Sequence, residues 1–196
     1  MNRIEEYNSS RKEILDNFSH IKDYRNLAYS ATTAILAFSF SNIASKEPLI
    51  CMIPIVIVIP LCVICERCYM AIYIIDSYIE SFYSSDGFLW EKRYSRFKDE
   101  MDRDKKTLDI GIGNISTHEM SFLTIIIVCG ILSLYRILLQ QYAEIELGIR
   151  VVFVVVITLM AILYICRLRH VVMTQRADYK SYWNMVKAAE EHLNHI

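Results

Sequence analysis

The sequence predicts an all-α fold: a four-helix transmembrane protein with amphipathic helices on the cytoplasmic side of the membrane. Four long apolar runs carry this prediction, at residues 27–45, 49–65, 121–139 and 148–166. Each run approaches the roughly 20 helical residues that cross a hydrocarbon core of about 30 Å. The runs lack the two-residue alternation of barrel strands. Helices are therefore the form in which these segments satisfy their backbone hydrogen bonds in lipid.

The distribution of charge predicts the orientation of the runs. The 196-residue chain has a formal net charge of −1, so it carries no global basic signature for nucleic acid. Positive residues concentrate in three segments, with five Lys/Arg in 1–26, eight in 66–120 and five in 167–196. The positive-inside rule places these three segments, and so both termini, in the cytoplasm. The predicted parts are an N-terminal amphipathic helix at 1–26, a transmembrane hairpin at 27–65, a helical insert at 66–120, a second hairpin at 121–166 and a C-terminal helix at 167–196.

The first apolar run is the most polar of the four, because it holds seven Ser, Thr and Asn residues. A soluble amphipathic helix is the alternative for this segment, but the short connection to the next run favours a hairpin. Thr32, Ser39 and Asn42 are spaced by seven and three residues and share one side of a helix. This side predicts a wet, pore-lining face in an oligomer. The alternative is a close-packed helix whose hydroxyls bond their own carbonyls.

The second run carries Cys62, Cys65 and Cys68 along one side of a helix. A metal or redox element is one interpretation, and packing of small apolar thiols is the other. The spacing lacks the turn that usually closes a zinc site. We therefore predict no metal site and no cofactor. Helical spacing of apolar residues continues past this run, which predicts that the helix extends beyond the membrane.

Three amphipathic helices follow from apolar residues that recur at spacings of three and four. Their apolar positions are Ile14, Phe18, Ile21 and Tyr24 in the first, Trp90, Tyr94, Phe97 and Met101 in the second, and Tyr179, Tyr182, Val186, Ala189 and Leu193 in the third. Such helices cannot bury their apolar faces alone, so they are expected to pack together beneath the membrane.

Arg136 lies about one turn inside the outer end of the third run, where a charge is costly. One interpretation is snorkelling to the interface or pairing with Glu144 or Glu146. The other is a cationic ring at an outer pore mouth, with Arg150 nearby, which would favour anions. The predicted pore-lining residues are therefore Thr32, Ser39, Asn42, Arg136 and Arg150.

A basic and aromatic stretch at 92–98 is the strongest candidate binding site in the cytoplasmic parts. Attraction to the membrane surface is one interpretation. Binding of a polyanionic nucleotide or nucleic acid is the other, because aromatic rings stack bases while Arg and Lys hold phosphates. The predicted ligand-binding residues are Lys92, Arg93, Tyr94, Arg96 and Lys98, with Arg167, Arg169 and Arg176 at the foot of the fourth run.

No catalytic constellation accompanies these features. Gly111-Ile112-Gly113 lacks the third glycine and the flanking lysine of a phosphate loop, and no serine sits in a nucleophile elbow. His192 and His195 are spaced to chelate, but near a chain end a solvated tail is the other interpretation. The sequence therefore predicts a protein that is not an enzyme.

The order of parts, with the insert Gly87-Phe88-Leu89-Trp90-Glu91-Lys92-Arg93-Tyr94 between two hairpins, resembles the small four-span membrane effectors of bacterial anti-phage defence. Within that group it is most similar to the channel subunits of the Hailong system, and the membrane subunits of the Kiwa system share the same plan. The resemblance covers the whole chain in architecture. It implies a homo-oligomer, with a tetramer favoured, in the bacterial inner membrane.

For function, the resemblance implies a ligand-gated channel that disrupts the inner membrane on infection. The implied ligand is an oligonucleotide or cyclic nucleotide made by a partner nucleotidyltransferase and bound on the cytoplasmic side. The alternative is a non-conducting membrane scaffold or sensor that recruits a soluble defence partner.

Overall fold

The computed structural model describes residues 3–41, 47–82, 93–94, 96–97, 99–100, 117–140 and 143–194. The long helices are α1 (Arg3–Ser39), α2 (Ile53–Phe82), α3 (Thr117–Leu139) and α4 (Glu144–Asn194), and a short 3₁₀ turn (Pro48–Met52) precedes α2. The described residues include no strand, so the predicted all-α class is confirmed for them.

Three of the helical segments are long and apolar enough to cross a membrane, namely Pro48–Phe82, Met120–Leu139 and Glu144–His192. They contain the second, third and fourth predicted runs. Helix α1 is not among them within the part of the chain that was described. The Ser and Thr residues between positions 30 and 39 dilute its apolar character, so a fourth span at 27–45 stays a prediction.

The helices run through most of the predicted boundaries. Helix α1 continues across residues 26 and 27, and α4 is a single helix of 51 residues that includes both the fourth run and the C-terminal segment. Helix α2 continues past Cys65 to Phe82, as the apolar spacing beyond the second run predicts. The reason is that no Gly or Pro interrupts these junctions, and helix propagation costs little once a turn is formed.

The two prolines of the second run, Pro54 and Pro60, differ in position. Pro54 is the second residue of α2, where its missing N–H would have no partner in any helix. Pro60 lies in the helix interior, where it removes a hydrogen bond to the carbonyl of Val56. Only Pro60 therefore has a reason to bend α2.

The chain separates into two compact units. We call the first the polar unit, made of Met1–His20, Glu66–Gly111 and His170–Ile196, and the second the apolar unit, made of Ile21–Cys65 and Ile112–Arg169. The polar unit thus contains both ends of the chain and the insert. Its residue bounds are similar to those of the three segments that the Lys/Arg distribution assigns to the cytoplasm.

The core of the polar unit is aromatic and centres on Trp183, which is fully buried. Its ring stacks on Phe97 at 4.3 Å and meets Tyr78 at 5.0 Å. Its Nε1 donates a hydrogen bond of 3.2 Å to the carbonyl of Ile74. Pairs of this kind add stability beyond their buried area. The predicted stripe on the last helix is confirmed at Tyr179, Tyr182 and Val186, all buried, whereas Ala189 is exposed.

The other two predicted stripes are only partly described or partly buried. In α1, Ile21 is buried but Phe18 is 47% exposed, so that stripe is not a continuous buried face. In the insert, Phe97 is buried and Tyr94 is 39% exposed. Trp90 and Met101 lie outside the described residues.

In the apolar unit, α3 packs against the 3₁₀ turn and approaches α4 closely at Gly130. A Cβ atom at Gly130 would lie 2.7 Å from Oγ1 of Thr158. Helix α4 leaves a broad apolar surface exposed, formed by Val152, Phe153, Val156, Leu159, Met160 and Leu163. Such a surface suits lipid or another membrane helix.

Candidate anion-binding site

The basic stretch of the insert is helical where it is described, at residues 93–94, 96–97 and 99–100. Helical spacing places Arg93, Arg96 and Phe97 on one side. Phe97 anchors that side in the aromatic core. Lys92 and Lys98, also predicted as ligand-binding, lie outside the described residues.

Arg93 is buried, with only 8% of its side chain exposed. Its Nε donates to Oε2 of Glu190 at 2.8 Å, and an NH group pairs with the same oxygen at 2.8 Å. Its guanidinium lies 3.9 Å from the centre of the Phe82 ring, a cation–π distance. Burial alone would lower the pKa of Arg93, but the hydrogen bond and negative charge of Glu190, with a contribution from Tyr78, raise it above its ordinary value. Arg93 is therefore a fixed positive charge.

Arg96 binds the other oxygen of the same carboxylate. Its NH1 donates to Oε1 of Glu190 at 3.3 Å, and 32% of its side chain is exposed. Two guanidinium groups thus converge on one anionic group that comes from the end of α4. We call the pair of Arg93 and Arg96 the anion clamp, and in this structure the carboxylate of Glu190 occupies it.

A second buried carboxylate supports the clamp from the start of α1. Tyr78 donates its hydroxyl hydrogen to Oε1 of Glu6 at 3.2 Å, and Glu6 is only 4% exposed. Tyr78 also bonds Arg93. The result is a polar network that links α1, α2, the insert and α4 within the polar unit. Such networks fix one geometry when all their members are satisfied.

Tyr94, which follows Arg93 in the sequence, has a partly exposed aromatic ring. It stacks on Phe97 with a centroid distance of 6.2 Å and an interplanar angle of 13°. Since Phe97 is itself stacked on Trp183, Tyr94 is the outer ring of a fixed aromatic series. An exposed ring held in this way suits stacking by a nucleobase.

The three predicted arginines of α4 are divided between the two units. Arg167 is exposed and Arg169 is 6% exposed, and both belong to the apolar unit. Arg176 belongs to the polar unit, but its side chain lies outside the described ones. Of the eight predicted ligand-binding residues, the structure brings Arg93 and Arg96 together on one anion.

The predicted pore-lining residues are placed differently from one another. Thr32 is 7% exposed and Ser39 is fully buried, both inside the apolar unit. Arg150 forms an ion pair of 2.8 Å with Glu146 on the same helix. Asn42 lies outside the described residues. In this conformation the side chains of Thr32 and Ser39 are thus buried within the apolar unit.

Arg136 contacts the end of α1, a partner that neither sequence interpretation names. It is 8% exposed, and its NH1 donates to the backbone carbonyl of Ser39 at 2.7 Å and to Sγ of Cys51 at 3.6 Å. Its guanidinium also lies 5.7 Å from the centre of the Phe40 ring. Ser39 is the last residue of α1, so Arg136 caps a helix C-terminus, where carbonyls lack partners and the dipole favours a cation.

Sequence reasoning missed Glu190, Tyr78 and Glu6. A signal for Glu190 was present, because Trp183, Val186 and Glu190 are spaced by three and four residues and share one helix face. A carboxylate that continues a buried apolar face needs a charged or hydrogen-bonding partner. For Glu6 and Tyr78 the sequence carries no comparable signal.

All six cysteines are free thiols. Cys62 and Cys65 are buried in α2, and Sγ of Cys65 contacts the carbonyl of Ile21 at 3.9 Å. Among the described residues, no three His, Cys, Asp or Glu side chains group as metal ligands. The thiols of Cys62 and Cys65 are buried against protein.

In the residues that the structure describes, these features define a helical protein with three helices long and apolar enough to cross a membrane, and a polar unit that contains an anion clamp. Comparison of the chain with protein-family models, curated proteins and solved structures found no match.

Proposed function

We propose that this chain is a ligand-gated membrane channel that acts as an effector of bacterial anti-phage defence. In this proposal it crosses the inner membrane four times, with 27–45 as the first span and both termini in the cytoplasm. The supporting observation is the anion clamp. Two guanidinium groups of the insert converge on Glu190 of α4, and α4 is one of the three helices that are apolar enough to span a bilayer.

The clamp favours a phosphate ligand on chemical grounds. Arginine binds phosphate and carboxylate with the same forked geometry, so a site that fits the Glu190 carboxylate also fits a phosphodiester. Tyr94 offers a stacking face two residues from Arg96. An oligonucleotide, or a cyclic nucleotide made by a nucleotidyltransferase, combines both groups.

The oligomeric arrangement is supported by the exposed side of α1. Ser30, Ala34 and Ala37 lie at spacings of four and three and are all exposed. Small residues on a membrane helix allow a second helix to approach closely. We propose that α1 packs between protomers of a homo-oligomer, with a tetramer favoured. Thr32 and Ser39 are buried in the described conformation, so they line a pore only after α1 has turned.

A flux measurement on the full-length chain tests the proposal. Purified protein is reconstituted in liposomes, and ion flux is followed with and without a single-stranded oligodeoxynucleotide. We expect ligand-dependent flux, since a ligand shifts a gate by its differential affinity for the two states. Arg96→Gln should weaken oligonucleotide binding and lower the salt dependence by about one unit of log–log slope.

Arg11→Gln is the matched control, because Arg11 is an exposed arginine of the polar unit. Its NH1 donates a hydrogen bond of 3.1 Å to the hydroxyl of Tyr7, which lies on the same helix. It should leave flux and binding unchanged. Absence of flux from correctly inserted protein, with and without nucleotide, would contradict the channel.

The alternative is a non-conducting scaffold or sensor. One observation favours it: Glu190 already satisfies the clamp, and closed ion networks also serve purely structural roles. A scaffold predicts full membrane insertion, no flux under any ligand and no change of flux in Arg96→Gln. The same liposomes therefore decide between the two functions.

A further inference from the structure

We propose that Glu190 occupies the anion clamp in place of a ligand phosphate, and that a phosphodiester of a single-stranded oligonucleotide binds Arg93 and Arg96 by displacing it. This inference rests on the proposed function, because it concerns how the ligand reaches the site.

The carboxylate uses both of its oxygens in the clamp. Oε2 of Glu190 bonds Arg93 at 2.8 Å and Oε1 bonds Arg96 at 3.3 Å. A phosphodiester has two non-bridging oxygens that carry one negative charge, so it presents the same charge and the same pair of acceptors to the two guanidinium groups. Bound phosphate and bound Glu190 therefore exclude each other.

The clamp has one fixed side and one accessible side. Arg93 is held by the Phe82 ring and Tyr78 and is 8% exposed. Arg96 makes the longer contact and is 32% exposed, which leaves its outer N–H groups within reach of solvent. We infer that the ligand first binds Arg96, with a base against Tyr94, and then replaces Glu190 at Arg93.

Displacement of Glu190 would release only the end of α4. Glu190 lies four residues before Asn194, the last residue of the helix. The preceding turns keep other ties to α2, through Lys180 to Glu80 and through Lys187 to the carbonyl of Ser81. Helix ends open at low cost in free energy. Replacement of Glu190 by a phosphodiester therefore affects only about the last turn of α4. That turn belongs to the same continuous helix that contains a candidate span.

The nearby acidic residue Glu191 supplies a matched control, because it is exposed and adjacent on the same helix. Binding of a fluorescein-labelled single-stranded oligodeoxynucleotide is measured for full-length protein in detergent. Glu190→Gln keeps the shape of the side chain but removes the competing charge, so it should tighten binding at least tenfold, about 1.4 kcal/mol. Glu191→Gln should change binding less than twofold, on the order of 0.4 kcal/mol.

Unchanged or weaker binding by folded Glu190→Gln, with normal binding by the wild type, overturns the displacement but leaves the proposed function intact. Failure of the wild type and of both variants to bind the probe overturns the displacement and, with it, the oligonucleotide as the ligand of the proposed channel. Binding of all three proteins to anionic vesicles with no binding of the oligonucleotide also overturns the inference, because the clamp would then be a lipid contact.

Hydrogen exchange of the wild type provides a second measurement that needs no variant. Saturating oligonucleotide should speed amide exchange at residues 190–194, the last turn of α4, because Glu190 no longer ties this turn to the insert. Exchange at 179–183 should stay slow, since Trp183 and Tyr179 remain in the aromatic core. Unchanged or slower exchange at 190–194 in the saturated complex would show that Glu190 stays in the clamp.

Discussion

At the scale of single residues, Arg93 is expected to carry both structure and ligand binding. Its replacement by alanine leaves Glu190 half-buried with only Arg96 as its clamp partner, and truncating one member of a buried ion pair costs about 3–5 kcal/mol. We expect Arg93→Ala to lower the free energy of unfolding by about 3 kcal/mol, the lower end of this range, because Arg96 still binds Glu190. For a chain of this size that shift lowers the thermal midpoint by roughly 6–12 °C.

The comparison is with Arg11→Ala, an exposed site in the same unit, where a change within about 0.5 kcal/mol is expected. Arg93→Lys keeps the charge but loses the forked geometry. Its loss of stability should therefore lie between those of Arg93→Ala and Arg11→Ala. Equal midpoints for Arg93→Ala and Arg11→Ala would mean that the clamp does not stabilise the polar unit.

At the scale of helices, the contact between α3 and α4 depends on Gly130. An added Cβ would meet Oγ1 of Thr158 at 2.7 Å and Cγ2 at 3.0 Å. Threonine is β-branched and has few rotamers in a helix, so the two helices must separate. Overpacking of this kind costs about 1–3 kcal/mol. We therefore expect Gly130→Ala to lower the thermal midpoint in detergent.

Gly148→Ala is the matched control, because nothing lies within 4 Å of a Cβ at that position in α4. It should raise stability by about 0.5–1 kcal/mol, as alanine favours helix over glycine. The double variant Gly130→Ala/Thr158→Ala removes the clashing Oγ1 and Cγ2 atoms. It should regain most of the stability that Gly130→Ala loses. A Gly130→Ala variant as stable as Gly148→Ala would contradict the close approach.

The helices were largely predictable because their signal is local. Apolar run length predicts the three span candidates, and spacing past Cys65 predicts the extension of α2. The contact of Glu190 with the anion clamp was not predictable. Arg93 and Glu190 are 97 residues apart, and no pattern in either segment indicates which distant residue it contacts. Arg136 shows the same limit: its cost in the membrane is evident from sequence, but the carbonyl of Ser39 that offsets it lies 97 residues earlier.

At the scale of the whole molecule, the proposed channel combines three properties: membrane insertion, conduction and ligand binding on the side of the termini. The prediction of sidedness follows from the Lys/Arg asymmetry and from the position of the anion clamp among the terminal segments and the insert. No single variant tests all three properties together, because each affects stability as well as function.

The most direct measurement is the current through a planar bilayer that contains full-length protein in one known orientation. A single-stranded oligodeoxynucleotide is perfused first on the side of the termini and then, after washing, on the opposite side. We predict that the current changes only with perfusion on the side of the termini, and that Glu190→Gln lowers the oligonucleotide concentration required. A bilayer with inserted protein but no current, or a current that responds only from the opposite side, would contradict the account.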